Sequence, residues 1–444
     1  MKAKMLKNNL PFLSILLAYL VFPDLISWIN DEPLLILTAI NSLESGEIVQ
    51  SGLYGSKNIP FGPIAIWFYQ ICLLFTSSLT LIVQIKTVCF VCLIYFSSLK
   101  ICSELSIDKK LAFLPLLSPY VFHYSRILWD NCFLIPSSFL FIALLLSFWR
   151  KSDTKKLIAL TVLATLMFQI HLTSLLLIIP AVLISLWITR IWIKNHIASI
   201  FLSLFILLAL NYNYFNLLVE NYHNIYEKSD SNPILITLFG FINFSAFNFY
   251  NFFIPEIHDT NLSILVKCLK VLSLSPLLIC LISINNKFIL RKNAPFLFML
   301  IISVPIPFIV NLKNFPHYFN SLLPIYIIIV LLIINQSKFK KLFVSAYSLT
   351  LIASIFLFQF FIYSNSGTKS PRYGATLGNQ LEIVSIYNPD ISSLQTNVKN
   401  YQLFPHSLLA ISKIIDNDKP KTKNLAIVYK YQDIRGKIIA LAKP

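Results

Sequence analysis

LPFLSILLAYLVFPDLISW, residues 10–28, is the first of the long apolar runs in this chain. A bilayer crossing takes about 20 consecutive apolar residues in one helix, so this run predicts a membrane-spanning helix. The runs are continuous over about 15–22 residues instead of alternating with polar residues, which favours helices over a β-barrel. Further runs lie near 61–79, 81–102, 111–125, 132–149, 157–170, 172–193, 196–212, 262–284, 294–312, 319–335 and 342–363.

The composition is that of an all-α polytopic membrane protein. The chain has 444 residues, of which 57% are hydrophobic and 12% are charged, far from the profile of a soluble domain. Its 36 Lys and Arg outnumber its 19 Asp and Glu, but they occur in short clusters between the apolar runs. Because cytoplasmic loops of membrane proteins carry such an excess of positive charge, we expect no nucleic-acid partner.

The basic clusters predict the orientation of the chain, since each is expected on the cytoplasmic side. If both 61–79 and 81–102 crossed the membrane, the lysines that follow would lie outside. Residues 61–79 are therefore predicted to form a juxtamembrane or re-entrant helix, which leaves about eleven crossings and a cytoplasmic N-terminus. The clusters lie at the N-terminus and at 109–110, 150–156, 190–194, 287–292 and 338–341.

This orientation divides the chain into two predicted regions. Residues 1–363 form the membrane domain, whose first extracytoplasmic loop is 29–60, and residues 364–444 form a small extracytoplasmic tail with both helices and strands. The loop 29–60 then shares the outer face with three other segments, 121–131, 213–261 and 313–318.

Two adjacent carboxylates, Asp31 and Glu32, follow the first apolar run. A carboxylate with controlled hydration at a membrane boundary suits a general base that takes a proton from a hydroxyl or amine acceptor. Asp31 also precedes Pro33, which is the pattern of a helix N-cap. The sequence allows both roles.

A second charged segment, Ser125-Arg126-Ile127-Leu128-Trp129-Asp130, lies between two apolar runs. On a helix, the spacing of Arg126 and Asp130 would place them on one face, where they could pair. Charges near membrane depth are a functional signal, and the planar guanidinium of Arg126 also suits a phosphate. A structural ion pair that ties two helices together is the alternative.

Three further sites carry candidate ligands for a phosphate or a sugar. Lys57 lies in a loop bounded by glycine and proline, where its charge could contact an anionic head group. His171 and the pair His317-Tyr318 lie at predicted external helix junctions. Each histidine could bind a phosphate or a sugar hydroxyl, or simply cap a helix.

Several motifs are missing from the sequence. It has no GxxxxGK[ST], no GxGxxG between a strand and a helix, and no HExxH. The CxxC of Cys89 and Cys92 has neither a nearby histidine nor a second cysteine pair, so it predicts ordinary thiols in an apolar run. We therefore expect no cofactor and no metal site.

Taken together, these motifs resemble those of the GT-C class of integral-membrane glycosyltransferases. Within that class they resemble the protein O-mannosyltransferases and the lipid A aminoarabinose transferases, and the pattern is similar to that of glycosyltransferase family 39. The resemblance covers roughly 10–335 and is strongest over 28–180. The matching stretches are Asp31-Glu32-Pro33, Leu43-Glu44-Ser45-Gly46, Lys57-Asn58-Ile59-Pro60-Phe61-Gly62-Pro63 with Trp67, Ser125 to Asp130, and His317-Tyr318 with Pro324.

The resemblance implies a GT-C-type helical bundle in a bacterial inner or plasma membrane, with juxtamembrane helices and an extracytoplasmic active site. It also implies a polyprenyl-phosphate-linked sugar as donor and a lipid, glycan or protein as acceptor. Asp31 would be the general base, with Glu32 and Asp130 orienting the acceptor or holding Asp31. Arg126 and Lys57 would neutralise the departing lipid phosphate.

Two other functions are compatible with parts of the sequence. A polysaccharide polymerase or O-antigen ligase would also use a lipid-linked donor, and a large late external loop would favour it. A flippase or secondary transporter would be expected to show repeated halves and ionisable residues at the bilayer midplane. The candidate residues cluster instead at the predicted external boundary.

Overall fold

The computed structural model describes most of the chain. The described residues are 2–28, 31–55, 59–221, 264, 267–268, 271–272, 287–309, 316–337, 340–365, 376–390, 395–396, 404–415, 420–423, 425–432 and 435–442. Lys57 and most of the apolar run 262–284 lie outside them.

The described part is a helical assembly with one small sheet. The first ten helices are α1 (Lys2–Leu20), α2 (Asp31–Ser45), α3 (Ile64–Phe75), α4 (Leu79–Glu104), α5 (Pro119–Arg126), α6 (Leu134–Arg150), α7 (Thr154–Ile170), α8 (Leu175–Ile188), α9 (Arg190–Asn195) and α10 (Ile197–Glu220). The later ones are α11 (Lys287–Ser303), α12 (Ile306–Ile309), α13 (Leu323–Gln336), α14 (Lys340–Asn365), α15 (Leu377–Tyr387) and α16 (Phe404–Ile414). Turns of 3₁₀ helix lie at Lys109–Leu111, Leu114–Leu117, Asn131–Phe133, Leu172–Ser174 and Pro316–Leu322.

Four of the described helical stretches are long and apolar enough to cross a membrane, which indicates an integral membrane protein. Shorter apolar helices accompany them. One is Leu10–Leu20, so the predicted spanning helix over 10–28 was wrong in its extent: α1 ends at Leu20. The larger number of about eleven crossings stays a prediction. The four stretches are Leu79–Glu104, Asn131–Arg150, Ile197–Glu220 and His317–Gln336.

The helix α3 occupies the run 61–79 and has only 12 residues. At 1.5 Å per residue it is about 18 Å long, short of a hydrocarbon core of about 30 Å. It begins at Ile64, directly after Pro63, and ends before Thr76, whose backbone is extended. A short helix at this place fits the predicted juxtamembrane or re-entrant segment.

The apolar run 111–125 does not form the single spanning helix that its composition predicts. It consists of 3₁₀ turns followed by the eight-residue α5. Pro115 and Pro119 account for the interruptions, because proline lacks the N–H that a continuing helix needs. The expectation of a regular helix here was wrong.

The broken segment nevertheless runs along α4 toward the start of that helix. Ile107 N donates to Cys102 O at 2.8 Å, and Lys86 Nζ donates to Ser125 O at 3.1 Å. Cys102 and Lys86 are about 24 Å apart along α4. The helix α6 then returns the chain, since Arg150 Nη1 lies 3.3 Å from Glu104 Oε2. Segment 121–131 therefore lies at the end of the bundle opposite Glu104.

The centre of the described bundle is α13, in which every residue from Leu323 to Ile334 is buried. It packs against α6, α11 and α14. The helix α10 has the opposite character, with few buried residues along its length. It also continues through residues 213–220, which were predicted to belong to an external loop; residues 222–261 of that loop lie outside the described part.

The tail docks on the segment that precedes α2. It contains α15, α16 and a sheet of β1 (Gln395–Thr396), β2 (Leu425–Gln432) and β3 (Arg435–Ala442). The strand β2 pairs parallel with β1 and antiparallel with β3.

Three buried residues stabilise this contact through hydrogen bonds. Gln380 Nε2 donates to Trp28 O at 2.6 Å, and Ser407 Oγ donates to Gln380 Oε1 at 2.6 Å. Trp28 Nε1 donates to Ser407 O at 3.1 Å, which closes the network. The tail and the first loop therefore share one end of the molecule.

Candidate functional site

The first carboxylate of the candidate site lies in the opening turn of α2. Asp31 Oδ2 accepts a hydrogen bond from Trp129 Nε1 at 2.9 Å, and the neighbouring Glu32 is buried. Acidic side chains in a first turn also interact favourably with the helix dipole. Burial raises the pKa of the Asp31 carboxyl, and the Trp129 hydrogen bond acts in the opposite direction.

The second carboxylate belongs to the turn that precedes α6. Asp130 is buried, and its Oδ1 accepts from Asn131 N at 2.6 Å, capping the 3₁₀ turn Asn131–Phe133. Burial, followed by the charge of Asp31, raises the pKa of the Asp130 carboxyl to about 8, and Glu32 adds to the effect.

The three carboxyl groups influence one another's protonation. Like charges in one low-dielectric site favour keeping a proton on one of the groups. With its pKa raised to about 8, Asp130 holds a proton at neutral pH and can donate a hydrogen bond.

Arg126 does not have the helical relationship to Asp130 that its spacing predicts. The helix α5 ends at Arg126, and Ile127 has extended backbone angles. Arg126 Nη2 instead donates to Val21 O at 2.9 Å and to Phe22 O. These carbonyls follow the last turn of α1, where helix carbonyls lack partners within the helix. The structure thus places Arg126 as a clamp on the end of α1.

His171 lies between α7 and α8. Its Nδ1 accepts from Thr173 N at 3.2 Å and lies 2.9 Å from Thr173 Oγ1, so it caps the turn Leu172–Ser174. Burial lowers the pKa of His171 to about 3, so the ring is neutral at pH 7. A neutral imidazole can donate a hydrogen bond to a sugar or a phosphate but offers it no charge.

A chain of ring contacts connects the two histidine sites to the carboxylates. The ring of His317 lies 4.4 Å from that of Trp129 and 4.5 Å from that of Tyr318, measured between centroids. Tyr318 in turn lies 5.6 Å from His171, which stacks on Phe61 at 4.5 Å. The structure therefore brings Asp31, Glu32, Asp130, His171, His317 and Tyr318 to one end of the bundle.

Lys57 lies outside the described residues, but the chain before and after it forms the two arms of a hairpin. The arms of the hairpin pair through Gly52 N to Phe61 O at 2.7 Å and Gly55 N to Ile59 O at 2.8 Å. Gly62 N donates to Gln169 O at 2.6 Å. A side chain at position 62 would meet the backbone of α7, since its Cβ would lie 2.8 Å from Gln169 O. The hairpin is thus fixed against the end of α7, two residues before His171.

The sequence interpretation missed a group of buried amides beneath the aromatic chain. Asn320 Nδ2 donates to Asn131 Oδ1 at 3.0 Å, and Tyr120 OH donates to Asn320 Oδ1 at 2.6 Å. These bonds join the turn after Asp130 to the turn after Tyr318. The available signal was an asparagine inside the apolar run 319–335, where polar residues are costly and mark interhelical contacts.

Lys86 was missed as well. It is fully buried in α4, and its ammonium lies 3.9 Å from the centroid of the Phe90 ring. Besides Ser125 O, it reaches Tyr124 O at 3.5 Å. Both carbonyls belong to the last turn of α5, so Lys86 holds the segment that leads to Trp129 and Asp130. The signal was a single lysine within the run 81–102.

The described residues contain no group of three or more His, Cys, Asp and Glu that could hold a metal ion. What the arrangement offers is an ionisable carboxylate, a protonated neighbour and several neutral donors beside aromatic rings. Such a set can take a proton from an acceptor hydroxyl and hold uncharged polar groups. Comparison of the chain with protein-family models, curated proteins and solved structures finds no match.

Proposed function

We propose that this protein is a membrane glycosyltransferase that moves a sugar from a polyprenyl-phosphate-linked donor to an acceptor at the extracytoplasmic face of the membrane. The observation that carries the proposal is the hydrogen bond from Trp129 to Asp31. It joins the two segments from which the sequence predicts a shared site. The resemblance to GT-C enzymes supplies the reaction class.

In this proposal Asp31 is the general base. It accepts the proton of an acceptor hydroxyl as that oxygen attacks the anomeric carbon of the donor sugar. The bond between the anomeric carbon and the phosphate oxygen breaks, the configuration inverts, and the polyprenyl phosphate leaves with the electron pair. Asp130, protonated at neutral pH, donates a hydrogen bond, and Glu32 helps to orient the acceptor.

The neutral donors and Lys57 are assigned to the donor substrate. His171, His317 and Tyr318 present rings and polar hydrogens at the same end of the bundle, which suits a sugar face. Lys57 supplies the charge for the departing phosphate, where fixed cations lower the energy of the transition state. Arg126 is assigned to holding α1, since its Nη2 already contacts Val21 O and Phe22 O.

The test is a transfer assay in membranes that contain the full chain, with radiolabelled polyprenyl-phosphate sugars as donors. We expect acceptor labelling by the wild type and a loss of about 10²–10⁴-fold in Asp31→Asn, the range for removal of a general base. Glu47→Gln is the matched control, because Glu47 is an exposed carboxylate of the same loop.

Two results would contradict the proposal. Full transfer by a well-inserted Asp31→Asn variant would remove the assigned base. Movement of intact sugar-lipid across the bilayer without any transfer would identify a flippase instead.

A further inference from the structure

A cavity of about 270 Å³ lies among α6, α7, α8 and α10. Apolar side chains form most of its wall, among them Phe141, Leu160, Ala164, Ala181 and Leu207. It is remote from the carboxylates. Phe141, the lining residue of α6 closest in sequence to Asp130, lies about 16 Å from it along the helix, and Phe148 lies about 27 Å away.

One hydroxyl in this wall differs from the others. Thr161 donates to Leu157 O at 3.0 Å, Ser185 to Ala181 O at 2.6 Å, and Thr189 to Ser185 O at 2.7 Å. Each of these bonds reaches back four residues in the same helix. Ser203 is 7% exposed, and its Oγ has no hydrogen-bond partner among the described residues. Since buried polar groups are nearly always satisfied, this hydroxyl is the group in the wall that would gain most from a polar contact with a bound molecule.

The cavity reaches the surface between α8 and α10. Its lining residues Val182, Leu186 and Leu204 are 49%, 46% and 50% exposed. Because α10 is one of the candidate membrane spans, an opening beside it would face the hydrocarbon of a bilayer.

Basic side chains flank one end of the cavity. The lining residues Thr189 and Ile193 are each followed by an exposed cation, Arg190 and Lys194. This is the end of α8 that carries one of the predicted cytoplasmic charge clusters. Anionic lipid head groups accumulate at such clusters.

We propose that this cavity is a binding site for a phospholipid with an anionic head group. A hydrocarbon chain fills the apolar space, whose walls offer water few hydrogen-bond partners. The Ser203 hydroxyl donates to an ester carbonyl of the lipid. Arg190 and Lys194 contact the head-group phosphate. The site is independent of the proposed sugar transfer.

Native mass spectrometry of the full chain tests this directly, with phosphatidylglycerol and phosphatidylcholine of identical chains as probes. We expect the wild type to retain phosphatidylglycerol at least about fivefold better, since each basic side chain at a lipid surface contributes severalfold. The double variant Arg190→Gln with Lys194→Gln is expected to remove this preference.

A variant that fills the cavity distinguishes a lipid bound inside it from lipid adsorbed on the protein surface. Ala181→Phe places a ring in the cavity and is expected to abolish retention. Leu183→Phe, on the same helix at an exposed position outside the cavity wall, is expected to retain lipid like the wild type. Ser203→Ala adds no bulk and is expected to weaken retention even if Ala181→Phe fails to fold.

The proposal is overturned by unchanged retention in both Ala181→Phe and Ser203→Ala. It is equally overturned if the wild type retains the two lipids alike.

Discussion

Trp129 and Asp31 are 98 residues apart in the chain, yet the indole N–H of one bonds to the carboxylate of the other at 2.9 Å. A hydrogen bond to an ionised carboxylate favours the ionised form. Trp129 therefore lowers the pKa of the proposed base, Asp31, and also connects the two segments of the site.

Replacing Trp129 by phenylalanine should shift the acid limb of the transfer profile. The variant keeps a ring beside His317 but loses the donor, so the pKa of Asp31 should rise further. Because Asp31 acts in its ionised form, the acid limb should move to higher pH. The measurement is the pH dependence of kcat. Trp67→Phe is the control, since that indole donates to the backbone oxygen of Val49 in the same loop. An unshifted limb in Trp129→Phe would contradict this role.

Replacing Asp130 by asparagine should stabilise the protein at alkaline pH. The pKa of Asp130 is raised to about 8, so the fold favours its protonated form. That contribution is complete below the unfolded value near 3.8 and is lost as the pH rises toward 8. Asp130→Asn keeps the acceptor for Asn131 N but cannot ionise. Its unfolding midpoint relative to wild type should therefore increase from pH 5 to pH 8, by at least about 2 °C.

Asp153→Asn is the control for these unfolding measurements, because the pKa of Asp153 is shifted in the opposite direction to that of Asp130. Asp153 caps α7, and the hydrogen bond from Lys156 N, the largest cause, lowers the pKa of its carboxyl. Its stabilisation is present above its unfolded value and is lost only in acid. The variant should show no relative gain at pH 8, and a gain equal to that of Asp130→Asn would refute the assignment.

Replacing Lys86 by methionine should slow transfer while the helices remain. The ammonium holds Ser125 O and Tyr124 O, and its loss frees the segment that carries Trp129 and Asp130. Misplacement of a reacting group by about 1 Å costs roughly 100-fold, so we expect a fall of about 10- to 100-fold in kcat. Circular dichroism checks the fold.

Lys100→Met is the matched control on the same helix. Lys100 pairs with Glu104 at 2.5 Å, and its side chain is 51% exposed. Exposed pairs contribute at most about 1 kcal/mol to stability, so this variant should keep wild-type transfer. Equal transfer by the Lys86 and Lys100 variants would show that Lys86 has no positioning role.

Replacing Gly62 by alanine should displace the hairpin from α7. The added Cβ would lie 2.5 Å from Gln169 Cβ and 2.8 Å from Gln169 O. Overpacking of this kind costs about 1–3 kcal/mol, so both stability and transfer should fall. Gly46→Ala meets no atom within 4 Å, although its φ of +70° is strained, so it should lower stability without lowering transfer. Thermal unfolding and transfer, measured together, separate the two.

The sequence predicts the long helices well because hydrophobicity alone determines them. The runs 81–102, 132–149 and 319–335 fall within candidate spans, and 196–212 begins one residue before the remaining one. It fails at 111–125, where the composition is equally apolar but two prolines interrupt the hydrogen-bonding pattern. Composition measures the solvent preference of a segment and carries little information on its backbone.

The sequence likewise predicts some features of the candidate site and not others. Placing segment 121–131 beside the first loop follows from charge counting, and the Trp129 contact to Asp31 agrees with it. The direction of Arg126 does not follow, because it depends on where α5 ends. Lys86 and Asn320 were passed over, since single polar residues hardly change the hydropathy of a run. Their partners are distant in sequence and become visible only after packing.

The bonds of Trp28 to Gln380 and Ser407 impose an order on biogenesis. Trp28 emerges early from the ribosome, but its partners are 352 and 379 residues further along the chain. At 5–20 residues per second, Trp28 waits roughly 18 to 76 s for them. The contact between the segment before α2 and the tail therefore forms only after Gln380 and Ser407 have been synthesised. A chain cut before residue 380 would lack all three hydrogen bonds, so Trp28 would lose its buried partners.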